Sequence, residues 1–292
     1  MEFIQPLNLP EALEAKGAHP YAVPIRGGTD VMVELNFARS RPDAVLDLSR
    51  VRELEEWGAE DGLLRVGAGV SYTRIIEEIG DRLPGLAMAS RMVGSPQIRN
   101  RGTVGGNLGT ASPAGDALPP LYASEAEVEV VSTEGRRRIP VADFISGPKE
   151  NLLSPNELIS AFYTARADGP QQYSKIGTRN AMVIAVCAFG LALSPGRRKV
   201  GTCIGSAGPT PIRATEAERF IEGVLEEGGF WESRGVIPEA LLRRFGELAA
   251  GAARPMDDVR GTAEYRRRSV GVLARRSLGW AWEEYRGANG AA

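Results

Sequence analysis

One histidine and two cysteines are all that the 292-residue sequence offers of the commonest metal-binding side chains. A multi-histidine metal centre is therefore impossible. A Ser-His-Asp triad would have to use His19, which sits between Ala18 and Pro20 with no nucleophile elbow around it. Cys187 and Cys203 are too few for a four-cysteine iron–sulfur cluster and lack CxxC spacing, so both read as core residues. There is no basic excess. With 35 Lys and Arg against 37 Asp and Glu, the formal charge of −2 argues against a nucleic-acid partner. No run approaches the roughly 20 apolar residues of a membrane span. The longest, 181–193, is short and β-branched and reads as a buried strand. The opening MEFIQPLNLPEALEAKG has neither the basic nor the apolar region of a secretory signal, so a soluble, cytoplasmic protein is expected.

What is present suits a globular chain, with 43% apolar residues and a length that predicts two domains. Residues 1–57 alternate strand and helix as a small α/β unit. Residues 58–168 hold a strand at 63–68, a helix capped by Ser71, a glycine-rich stretch at 94–120 without clear periodicity, a hairpin turning at Glu134-Gly135, and a strand at 158–164. From about 171 come strands at 173–176, 181–193 and 199–207, then helices at 214–226, 238–250 and 261–285. The tail, 287–292, is small and polar and reads as mobile. Arginine runs at 136–138 and 266–268 read as solvated, and Trp280 and Trp282 as packing the last helix.

Two stretches carry chemistry. In Pro24-Ile25-Arg26-Gly27-Gly28-Thr29-Asp30 a strand runs into adjacent glycines and then a helix. Glycines let backbone N–H groups approach an anion with no Cβ in the way, and the helix start adds further donors. A bare strand–helix turn would read the same way. The second stretch, Gly94 to Asp116, is dense in Gly, Thr, Ser and Asn and suits a pyrophosphate and polyhydroxyl chain, with Asp116 able to accept from hydroxyls. Two such cradles on neighbouring α/β units would suit a dinucleotide lying in the cleft between them.

The run QIRNRGTVGGNLGTASPAGDALPPL resembles the flavin-binding signature of the molybdenum hydroxylase family, which includes xanthine dehydrogenases and aerobic carbon monoxide dehydrogenases. RGGTDVMVEL resembles the family's first flavin motif, and YSKIGTRNAMVIAVCAFGLAL the start of its C-terminal domain. The resemblance is to the separate FAD-binding medium subunit. It implies an α+β fold of the vanillyl-alcohol-oxidase type, which is not a Rossmann fold. A two-part FAD-binding domain (1–168, parts about 1–57 and 58–168) would precede a smaller α+β C-terminal domain (169–286). By the same resemblance, Arg26, Gly27, Gly28, Thr29 and Asp30 hold flavin phosphates in the first cradle, and Thr103, Gly105, Gly106 and Asn107 form the second. Thr110 and Asp116 are later flavin contacts, Ile159 packs on the flavin, and Lys175 lies near the ring, where a positive charge favours reduced flavin. The sequence departs from the family at Arg26, Gly109 and Gly115, where other residue types are usual.

The implied role is electron transfer. Electrons would pass from the [2Fe-2S] clusters of a small subunit, fed by a molybdopterin-binding large subunit, through FAD to NAD, quinone or O2. No side chain of this chain need be catalytic, and a dimer of heterotrimers is the implied assembly. Two other readings stay open: a self-contained flavin oxidoreductase with its own substrate pocket, and a flavin-free binding or assembly protein of the same fold.

Overall fold

The computed structural model describes residues 1–39 and 41–287, so most of the tail expected to be mobile lies outside the described residues. The chain forms two compact units. The first comprises 1–78, 93–112 and 126–165, and the second 79–92, 113–125 and the rest of the chain from 166.

In the first unit, Glu2–Ile4, Ala44–Asp47 and Val23–Ile25 make a parallel three-stranded sheet with Ala44–Asp47 in the middle. The helix Leu9–Ala18 is opened by Asn8, whose side chain accepts from the Glu11 N–H. Its Ala12 packs with Leu46, Val51, Leu54 and Leu158 in a buried cluster. A second sheet is antiparallel, in the order Trp57–Glu60, Leu63–Gly67, Leu158–Thr164, Glu127–Ser132, Gly135–Pro140. Glu129 is only 3% exposed within it. Ser160 Oγ donates to its carboxylate at 2.6 Å and Tyr163 Oη at 3.2 Å, which offsets the cost of burying a charge. Of the arginine run 136–138, Arg137 pairs with Glu157 at 2.8 Å, and Arg138 lies 3.6 Å over the Tyr163 ring rather than standing free in solvent.

The stretch 94–120 is not the irregular loop its composition suggests. It holds three short helices, Pro96–Arg101, Val104–Thr110 and Leu118–Ala123. Ser95 and Thr103 cap the first two through side-chain oxygens that accept from the N–H groups of Ile98 and Gly106. The glycines hide the helical period because they stand where helices press on backbone. A Cβ on Gly105 would lie 2.5 Å from the Ala68 carbonyl oxygen.

In the second unit, Gln171–Ile176, Cys187–Ser194 and Lys199–Gly205 form an antiparallel sheet. Helices Thr215–Glu227, Glu239–Ala252 and Ala263–Gly287 build its apolar core, where Phe189, Phe245 and Trp282 are fully buried. The helix Leu118–Ala123 packs on the same sheet, at a bare stripe where a Cβ on Gly201 would come within 1.9 Å of the Ala123 carbonyl oxygen. Three expectations are corrected here. The strand begins at Cys187, so 181–186 is outside it, and Met182 takes a left-handed φ of 49°. Arg266 is buried rather than solvated, donating to the Ser206 carbonyl and the Asp258 carboxylate. Trp280 is 52% exposed, and only Trp282 packs the last helix inward. Among the described residues no helix is long and apolar enough to cross a membrane.

Cys187 and Cys203 are both buried and free. Burial pushes the Cys187 thiol up to about 12 and holds Cys203 well above the ordinary thiol range. The native chain is therefore expected to resist a chromogenic thiol reagent in mildly alkaline buffer and to react at both cysteines once denatured. Rapid colour from the native chain would contradict the assignment of both to the core.

Candidate cofactor site

The first cradle is built where the strand Val23–Ile25 ends. Gly28 sits at φ 76°, a conformation that L side chains adopt only with strain. The turn it makes leaves the N–H groups of Gly27, Gly28, Thr29, Asp30 and Val31 without acceptors among the described residues. None of these residues is buried, so the donors are open to an approaching ligand. The helix that follows, Val31–Asn36, has no buried residue and is too short to add much dipole, so the donors themselves carry the site. Arg26 does not offer its side chain to the turn. Its guanidinium turns away to pair with Glu55, and its Nε is buried without a partner. That is how the sequence accommodates a long side chain at this position.

The second cradle lies in the same compact unit as the first. Thr103 bridges Ser71, and the Thr103 and Gly105 N–H groups find no acceptor among the described residues. Gly106 is exposed, and its N–H is held by Thr103 Oγ1 at 2.9 Å. Asn107 is half-buried one position further along the same helix. The first cradle packs against the residues that lead into the second. A Cβ on Gly27 would lie 2.0 Å from the Arg101 carbonyl oxygen. Thr110 Oγ1 donates to Asp30 Oδ2 at 2.9 Å, tying the helices that leave the two turns. Asn151 Nδ2 donates to the Gly109 carbonyl at 2.9 Å, and the Lys149 N–H to that of Ala111 at 3.0 Å. Ile159 is half-buried at a bulge in the strand Leu158–Thr164, and its Cδ1 would be 3.7 Å from a Cβ on Gly109. The bare Gly109 leaves Ile159 as the wall there.

Asp116 and Lys175 belong to the second unit, where the structure brings them together. Lys175 Nζ donates to Asp116 Oδ2 at 2.7 Å, and Tyr173 Oη to Oδ1 at 2.7 Å. The Lys175 side chain is 2% exposed, so it is no solvated strand-end lysine. Burial pushes the Asp116 carboxyl up, against the opposing pull of Lys175 and of the Tyr173 hydroxyl. A cavity of about 260 Å³ opens beside Lys175, lined by Met92, Ile176, Arg179, Asn180 and Met182 among others. Lys175 thus presents a paired charge, whose field falls off faster than that of a lone ammonium. Tyr173 was not singled out in the sequence. Its signal is the two-residue spacing from Lys175 on one strand, which puts both side chains on one face.

Comparison with known proteins gives the family of the chain. Residues 1–163 match the family described as the FAD binding domain in molybdopterin dehydrogenase, and residues 172–281 the CO dehydrogenase flavoprotein C-terminal domain. Together they define a class, the flavoprotein component of a dehydrogenase. The nicotinate dehydrogenase FAD-subunit of Eubacterium barkeri is 34% identical over 238 residues, 76% of this chain and 79% of that one. The carbon monoxide dehydrogenase medium chain of Hydrogenophaga pseudoflava is 28% identical over 267 residues, 88% of each. A solved carbon monoxide dehydrogenase from the same organism superposes with a TM-score of 0.87 at 25% identity, covering 97% of this chain and 98% of that one. Quinoline 2-oxidoreductase of Pseudomonas putida 86 shares the fold, with a TM-score of 0.88 at 23% identity over 98% of each chain. The chain belongs to the family of FAD-binding subunits of molybdopterin dehydrogenases: it is an oxidoreductase subunit, its cofactor is FAD, and its fold is the two-domain α+β fold expected from the resemblance. The residues fit that cofactor. Side-chain-free turns with unmade N–H donors suit a pyrophosphate, and adjoining hydroxyl and carboxylate groups suit a polyhydroxyl chain.

Proposed function

We propose that the chain is the electron-transfer subunit of a cytoplasmic, multi-subunit molybdenum hydroxylase. Its partners are a molybdopterin-binding large subunit and a small subunit with [2Fe-2S] clusters, in a dimer of heterotrimers. The chain receives electrons from the clusters and delivers them to NAD, quinone or O2. FAD supplies the exchange of electrons singly or in pairs. The observation that carries the reading is the run of unmade N–H donors at 27–31, packed against Arg101 and Gly102, which lead into a second glycine turn at 103–106.

The chain's own residues bind and orient. The Gly27, Gly28, Thr29 and Asp30 N–H groups would hold phosphate oxygens, with Arg26 supplying backbone only. Thr103, Gly105, Gly106 and Asn107 would also help to hold the pyrophosphate. Thr110 and Asp30, already bonded to each other, keep lone pairs for sugar-chain hydroxyls. Asp116 fixes Lys175 beside its cavity, and Ile159 offers an apolar wall. The names of two relatives support the partner assignment, one an FAD-subunit and the other a medium chain. The test is acid release of cofactor from the purified chain. About one FAD per chain is expected, with copurification of two other chains from the native source. A colourless chain that takes up no added FAD overturns the reading.

A further inference from the structure

The cradles present neutral N–H groups, whereas a pyrophosphate brings negative charge and Asp30 adds more beside it. A cation beside these donors would add charge-assisted bonds to the phosphate oxygens. Three of the four basic side chains bordering the turns are engaged elsewhere. Arg26 is paired with Glu55, and Lys149 Nζ is 2.7 Å from Glu34. Arg99 donates to the Val93 and Gly94 carbonyls, each at 3.0 Å.

Arg101 differs from them. It is exposed and has no carboxylate partner among the described residues. Its guanidinium reaches the Arg26 carbonyl at 3.5 Å, a distance too long to hold it there. Its backbone carbonyl is the atom against which Gly27 is packed. Arg101 thus stands on the line where the two turns meet, with a loosely held planar fork of donors. Guanidinium groups match phosphate oxygens in pairs, and such charge-assisted bonds are about twice as strong as neutral ones.

We propose that Arg101 is the cationic clamp of the pyrophosphate and the residue that makes the site prefer a dinucleotide flavin to riboflavin. The inference rests on the FAD reading given above. The test uses the full chain freed of flavin, with FAD, ADP and riboflavin as probes of binding by fluorescence and calorimetry. R101Q is expected to weaken FAD and ADP by about 10- to 100-fold and to leave riboflavin unchanged. R101K should recover part of the loss, because it keeps the charge without the fork. Wild-type affinity for FAD should fall with added salt, and less so in R101Q. Equal FAD affinity in R101Q and wild type overturns the proposal, and so does a riboflavin loss as large as the FAD loss. If R101Q does not fold, a wild-type FAD affinity indifferent to salt overturns it. A wild-type chain that binds none of the three probes fails the FAD reading itself, a result distinct from the others.

Discussion

Gly27→Ala is expected to give a chain that purifies without flavin and melts well below the wild type. The added Cβ would sit 2.0 Å from the Arg101 carbonyl oxygen and 2.7 Å from its carbon. Both atoms are backbone and cannot rotate away. The Gly102 N–H donates to the Ile98 carbonyl at 2.7 Å, and the Tyr72 N–H to the Gly102 carbonyl at 3.0 Å, so the segment is held on either side. Relief therefore requires the two turns to part. Overpacking of this kind costs about 1–3 kcal/mol, and more where the neighbours are rigid. Parting the turns also separates the two rows of donors, so cofactor affinity falls along with stability. Gly17→Ala is the control. Gly17 lies in the helix Leu9–Ala18 with nothing within 4 Å of its Cβ position, and alanine there should stabilise by about 0.5–1 kcal/mol. Cofactor content and thermal melting of both variants check the argument. A Gly27→Ala chain that retains wild-type flavin would show that the contact of the turns is not what holds the site.

Lys175→Met should cost about 3–5 kcal/mol, because it leaves the Asp116 carboxylate buried with only the Tyr173 hydroxyl. The loss has a pH signature. Burial already raises the Asp116 carboxyl, and Lys175 opposes that rise, so removing Lys175 raises it further. A carboxyl raised on folding contributes stability that is fully present below its unfolded value and lost as pH rises through its folded value. The variant's deficit should therefore be largest above the raised value and should shrink as pH falls towards the ordinary carboxylate range. Combining it with Asp116→Asn should return most of the stability, because the pair is then removed together. Denaturant titrations of wild type, both single variants and the double, at several pH values, measure this. A loss under about 1 kcal/mol with no pH dependence would place the pair among ordinary surface salt bridges.

Much of this architecture was legible in the sequence, and the rest had identifiable reasons not to be. The strand Leu158–Thr164 was expected at those residues, because a β-rich run stands there between polar segments. Its place in the centre of the antiparallel sheet was not, because it pairs with strands distant in sequence and no local pattern records that. The helices within 94–120 were hidden because glycines occupy positions where apolar residues would mark a period. The Ser95 and Thr103 caps were the signals available. Arg266 was misread because its burial depends on a carbonyl and a carboxylate supplied by other segments. The glycine turns themselves were plain as candidate anion cradles. Their meeting in one unit rests on a contact of Gly27 with Arg101, which spacing alone cannot predict.

The path of the chain through its two units bears on how it can be made. Helices Pro84–Met92 and Leu118–Ala123 are synthesised early yet belong to the second unit, whose sheet begins only at Gln171. Until that sheet emerges, Leu86, Leu118, Leu121 and Tyr122 have only the contact between these two helices within their own unit. The first unit can close once residue 165 is made, but it does so with two apolar loops of nascent chain still waiting. A ribosome pausing after residue 165 has emerged, but before the sheet of the second unit has, would hold a product that is half native and half adhesive. Expression of the first 168 residues alone would make that state permanent.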